Sequence, residues 1–321
     1  MPNLSLLELF GVCAPCSGDG GQELRKGHHV DVAPVREADD QPDNHEQDAV
    51  DVDGDLTTRV ETFYEHLSAQ TGGGGGHSFS LAVRRGKAFQ DSYRQLKDQN
   101  LKRARISVSY VGEGGIDHGG LRREWFAHVS LQMVSEEVGL FRAVGDQTTF
   151  DPSPASGVRN CEHLAQFEFC GRFVGMAIEQ KRFLYYCPFS RVVYKHLLGL
   201  PVAFEDLESI DPATYKSFLK MLPKGDQQSE IDPADLCFTF TATVMDSHGK
   251  NVDKELIVGG SDIDVNRDNV EEYVNLYPQV VLVDPIREQL AAFASGFFEI
   301  IPREYISLFT PIELEYLIRG V

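Results

Sequence analysis

Five consecutive glycines at positions 72 to 76 cut the chain into two stretches of different physical character. A run with no side chains to pack and maximal backbone freedom reads as a flexible linker. Before it, Gly, Asp, Pro and His are mixed without sustained periodicity. Between Asp31 and Asp55 stand ten acids and one base, Arg36, so this segment carries −9 of the −19 net charge of the 321-residue chain. A segment so charged and so poor in apolar side chains cannot bury enough surface to fold, and residues 1–79 are expected to be a disordered acidic and Gly-rich tail. The exception is Leu56 to Leu67, where Val60, Phe63, Tyr64 and Leu67 recur at helical spacing and predict one short amphipathic helix.

From about Phe79 the pattern alternates between helix and strand periods, the mark of a mixed domain. Phe89, Tyr93 and Leu96 share a helix face, and Ile106, Val108 and Tyr110 alternate as in a strand. A glycine-rich turn, Gly112 to Gly120, opens a helix striped by Leu121, Trp125, Phe126, Val129 and Met133. A longer helix over about Cys161 to Lys181 buries Leu164, Phe167, Cys170, Phe173, Val174, Ala177 and Ile178. Asp211-Pro212, Asp284-Pro285 and Thr310-Pro311 each place a capping side chain before a proline suited to the first helical turn, and Thr310 with Glu313 forms a capping box. Leu236, Phe238 and Phe240 alternate ahead of turn residues at Asp246 to Lys250, which predicts a hairpin. These elements define an α+β fold in which helices dominate.

The charge balance excludes a nucleic-acid or anionic-membrane surface as the main business of the chain, because phosphates require clustered Lys and Arg. The opening run MPNLSLLELFGV lacks a basic start and is too short to span a bilayer. Six cysteines without regular spacing fit a reducing compartment, cytoplasm or nucleus. Cys13 and Cys16 followed by adjacent His28 and His29 fail zinc-finger spacing, and Asp51, Asp53 and Asp55 lack the glycine and glutamate of a calcium loop. The glycines at 112 to 120 are not followed by Lys-Ser or Lys-Thr, and no serine nucleophile elbow is present. No metal or other cofactor is expected, and Cys170 and Cys237 are expected to be inert, core-packed thiols.

The residues themselves go further than their periods. VRRGKAFQDSY (Val83 to Tyr93), GEGGIDHGGLRREWF (Gly112 to Phe126), GLF (Gly139 to Phe141), HLAQFEFCGRFVGMAI (His163 to Ile178), AAFASGFFEIIP (Ala291 to Pro302) and IELEYLIRG (Ile312 to Gly320) resemble, in order and spacing, the signature blocks of the HECT family of ubiquitin ligases. His118 stands where the family often has an acidic or aromatic residue, and Asn266 where it often has a capping Thr.

The resemblance implies a two-lobed fold in which a mostly helical N-lobe docks a ubiquitin-conjugating enzyme and a smaller C-lobe carries a cysteine that accepts ubiquitin as a thioester before passing it to a substrate lysine. It implies that residues 80–321 are part of the N-lobe, that further helices and the C-lobe are absent, and that the chain alone has no ligase activity. The implied partners are a conjugating enzyme, ubiquitin and an unidentified protein substrate. By motif, docking falls to a subdomain at about 204–273, with Phe218, Leu219 and Leu222 from the DPATYKSFLKML helix and Leu236 and Phe238 from a DLCFTF strand. Phe218→Ala is then expected to abolish docking and spare folding. The alternative is a non-catalytic module that sequesters a conjugating enzyme or holds ubiquitin noncovalently.

Overall fold

The computed structural model describes residues 56–69, 77–114, 119–223 and 229–320. The Cys13/Cys16 and His28/His29 pairs, the acidic stretch, the Asp51 to Asp55 run, the glycine run and His118 lie outside the described residues, as does the expectation of disorder attached to the tail.

In chain order, α1 (Leu56–Ala69) is followed by β1 (Ser78–Val83), α2 (Ala88–Leu96), β2 (Arg105–Tyr110) and α3 (Gly120–Met133). Strands β3 (Phe141–Val144) and β4 (Thr149–Pro152) precede α4 (His163–Glu179) and α5 (Arg191–Leu198). Next come α6 (Leu207–Ile210), α7 (Pro212–Met221), β5 (Thr241–Met245), β6 (Asn251–Glu255) and α8 (Val270–Pro278). The described residues close with α9 (Arg287–Ile300), α10 (Arg303–Ile306) and α11 (Pro311–Arg319). Among the described residues the fold is mostly helical, with three two-stranded sheets: β1 and β2 parallel, β3 with β4 and β5 with β6 antiparallel.

Helix α4 is the axis of the core. Its apolar residues wrap most of its circumference, and Phe167, Phe169, Cys170, Phe173, Val174 and Met176 are sealed from solvent. Against it lies α9, and the two backbones touch where neither has a side chain. A Cβ built on Gly296 would stand 1.8 Å from the Glu168 carbonyl oxygen, and one on Gly171 would stand 1.9 Å from that of Phe293. Glycine at both sites sets the closeness of the crossing, and flanking rings fill the space beside it.

Capping follows the sequence signals with one exception. Asp211 accepts from the Thr214 amide at 3.1 Å, and Thr310 and Glu313 satisfy each other's amides at 3.3 and 2.9 Å. Asp284 instead spends its carboxylate on Lys254 Nζ at 2.6 Å and on Arg287, and α9 proper begins at Arg287 after a π-helical turn, Gln279–Val283. Two cations outcompete the cap.

The boundary expected at residues 79/80 leaves α1 outside the folded domain, and there the structure differs. Phe63 of α1 is fully buried with its ring centroid 5.5 Å from that of Phe309, and Arg59 pairs with Glu313 of α11. The amphipathic face of α1 is covered by the domain itself.

Candidate docking site

The segment from Phe204 to Tyr277 gathers an aromatic base. The Phe218 centroid lies 5.6 Å from that of Tyr273, 4.9 Å from Tyr277 and 6.4 Å from Phe204. Phe240, fully buried, approaches Tyr273 at 5.5 Å. Such edge-to-face and stacked contacts add to the free energy of burying large rings. The Tyr273 hydroxyl donates to the Thr241 carbonyl at 3.3 Å, and burial pushes its pKa up.

On this base sits a segment that departs from the expected strand. DLCFTF is not one extended run: Pro233–Leu236 is a 3-10 turn capped by Asp232, whose carboxylate accepts from the Ala234 amide at 3.2 Å. Cys237 follows in the left-handed region, φ +51°, and only from Phe238 is the chain extended, with the Val265 amide donating to its carbonyl at 2.7 Å. The reversal at Cys237 turns side chains outward. Leu236 is 37% exposed and Phe238 40%, although the Phe238 ring stacks on Tyr273 at 6.5 Å. The expectation that Cys237 is a buried thiol is corrected, since it is exposed; Cys170 is buried as expected. Burial also raises the Cys170 thiol pKa well above its ordinary value.

The five predicted residues therefore separate into two sets. Leu219, Leu236 and Phe238 present large apolar side chains to solvent, whereas Phe218 is 4% exposed and Leu222 is half-buried. Phe218 belongs to the aromatic base, so the expectation that its truncation spares folding does not survive its burial. The Ile231 amide donates to the Lys220 carbonyl at 3.0 Å, which ties the chain leading to Leu236 to the end of α7. Sequence reasoning missed two further exposed apolar residues, Val258 and Ile263. Ile263 lies beside the Phe238 segment, its carbonyl accepting from the Phe240 amide at 3.0 Å. Val258 sits in a turn and Ile263 just after a short 3-10 turn, where periodicity carries no signal.

The family profile described as HECT-domain (ubiquitin-transferase) matches residues 127–321, more than half of the chain. The chain belongs to the HECT family. Similar curated proteins include the E3 ubiquitin-protein ligase TOM1-like of Neurospora crassa, 41% identical over 76% of this chain. The E3 ubiquitin-protein ligase UPL1 of Arabidopsis thaliana is 40% identical over 75%, and the E3 ubiquitin-protein ligase HUWE1 of Mus musculus 36% identical over 83%. The chain spans 6% of the length of each of these three HECT relatives.

Proposed function

We propose that this HECT chain docks a ubiquitin-conjugating enzyme on the ridge of Leu236 and Phe238, flanked by Leu219, and so serves transfer of ubiquitin to lysines of a protein substrate. The observation that carries this reading is the exposure of large apolar side chains on an ordered aromatic base. An apolar side chain held outward at the cost of water contact is a feature of recognition surfaces. The patch is small, which suits a transient partner that must leave after each transfer. Exposed Asp235 beside the ridge favours a basic contact on that partner, whereas Asp232 is already paired with Arg267 at 2.7 Å. The printed names of the similar proteins, E3 ubiquitin-protein ligases, support the same class of activity.

In this reading none of the six cysteines receives ubiquitin. A thiolate is the nucleophile, and Cys170 and Cys187 are buried thiols whose pKa burial raises far out of reach. Cys161 and Cys237 are exposed, and the proposal assigns them no part in transfer. We place the chain in a reducing compartment, cytoplasm or nucleus, because its six cysteines have no regular spacing. The test is incubation of the chain with a conjugating enzyme carrying ubiquitin as a thioester. Binding without any reducible ubiquitin adduct on the chain is expected. An adduct that is lost in Cys237→Ser or Cys161→Ser overturns the non-catalytic part of the proposal, and failure of a panel of conjugating enzymes to bind overturns the docking part.

A further inference from the structure

The docking segment, Phe204 to Tyr277, is joined to the rest of the domain by two stretches of chain. One runs from Gly199, left-handed at φ +71°, through exposed Leu200 and Pro201 to Ala203. The other is the π-helical turn Gln279–Val283 between α8 and α9. An ion pair reinforces each: Lys195 Nζ lies 2.7 Å from buried Asp206 at the first, and Lys254 Nζ 2.6 Å from Asp284 at the second. Two such attachments still leave rotation about the line that joins them, so contacts elsewhere set the angle of the segment.

One stretch of the body, from β3 to the 3-10 turn Pro154–Gly157, meets the segment away from those attachments. In the β3–β4 turn the Gly145 amide donates to the Ile210 carbonyl at 3.1 Å. Its α-carbon comes so near α6 that a Cβ would stand 2.1 Å from the Ser209 carbonyl oxygen, a backbone atom that cannot rotate away. Farther along the same stretch, a Cβ on Gly249, between β5 and β6, would stand 3.5 Å from that of Ala155. Gly145 meets two demands that only glycine meets together: it takes φ +62° for the turn and leaves room for the Ser209 carbonyl. Gly145, Asp146 and Gln147 are all exposed, so core burial is not what brings this turn onto α6. A solvent-exposed turn locked backbone to backbone on a neighbouring element fixes position.

We infer that Gly145 is a positioning residue: its contact with α6 sets the angle of the docking segment, and so of Leu236 and Phe238, against the α4/α9 body. A conjugating enzyme seated on the ridge is thereby presented to the body in one orientation, which is what transfer between two bound groups requires. That consequence rests on the docking reading above, whereas the brace itself rests on Gly145 and α6 alone.

The test is measurement of amide residual dipolar couplings on the whole chain, comparing α4 and α9 with α7 and α8. One alignment tensor is expected to fit all four helices in the parent. In Gly145→Ala the added Cβ pushes α6 away, and α7 and α8 are expected to need a tensor of their own. Ala155→Leu crowds Gly249 at the second contact, is expected to act in the same way, and decides the matter if Gly145→Ala does not fold. Gly112→Ala imposes a similar left-handed strain, φ +86°, where a Cβ meets nothing within 4 Å, and is expected to keep the common tensor. The inference is overturned by a common tensor in both Gly145→Ala and Ala155→Leu, or by two tensors already in the parent. Failure of the parent to bind a panel of conjugating enzymes overturns the docking reading instead, and the couplings then decide the brace by themselves.

Discussion

Replacing Gly296 with alanine tests whether the α4/α9 crossing is set by backbone contact. The added Cβ would lie 1.8 Å from the Glu168 carbonyl oxygen and 3.1 Å from the Arg172 amide nitrogen, both backbone atoms of α4 that cannot rotate away. Restoring an ordinary contact requires the helices to separate by roughly 1.5 Å, which loosens the side chains packed around the crossing. Overpacking of this kind costs about 1–3 kcal/mol or more, and a backbone clash belongs at the upper end. Alanine returns about 1 kcal/mol through better helix propensity. A net loss of about 2 kcal/mol or more follows, a fall in melting temperature of roughly 5 °C for a domain of this size. Urea denaturation of G296A beside G86A provides the assay, because a Cβ on Gly86 meets nothing within 4 Å and its control variant should match the parent. A G296A protein as stable as the parent would refute the claim that glycine sets this crossing.

Three further outcomes follow from other parts of the molecule. Burial raises the Asp151 pKa to about 6 despite the hydrogen bond from Ser190, so the folded state holds this proton more tightly than the unfolded chain does. Its ionisation destabilises the fold by on the order of 3 kcal/mol as pH rises from about 4 to above 6. The stability difference between the parent and Asp151→Asn should change by that amount across the window, and a constant difference in chemical denaturation would argue against it. Phe218→Ala should cost about 3–5 kcal/mol, visible in the melting transition, because its ring is packed on Phe204, Tyr273 and Tyr277. Thr310→Ala should lose about 1 kcal/mol by removing the cap of α11, measured by the same denaturation; no loss would mean the capping box contributes nothing.

Much of the fold was legible because its strongest elements are locally determined. The α4 stripe, the alternation in β2, the Asp211 and Thr310 caps and the turn at Asp246 to Lys250 all appear where residue spacing predicted them. What escaped was set by distant partners or by a single backbone reversal. The helical period of α1 is visible in sequence, but its burial depends on Phe309 and Glu313, some 250 residues later. Leu236, Phe238 and Phe240 do alternate, yet the Asp232-Pro233 pair starts a 3-10 turn by the same chemistry that starts α7 at Asp211-Pro212, and that signal outweighs the alternation. At the ridge, sequence could name apolar residues but could not divide Phe218, which is inward, from Leu219, which is outward, because that division depends on where Tyr273 and Tyr277 stack.

The measurement that bears most directly on the docking proposal is the affinity of a ubiquitin-conjugating enzyme for the parent chain and for a Leu236→Ala/Phe238→Ala double variant, with both melting curves recorded. Loss of these partly exposed side chains should lower the melting temperature by only a few degrees, well short of unfolding the domain, and weaken binding at least tenfold, about 1.4 kcal/mol. Equal affinity of the two proteins would contradict the account.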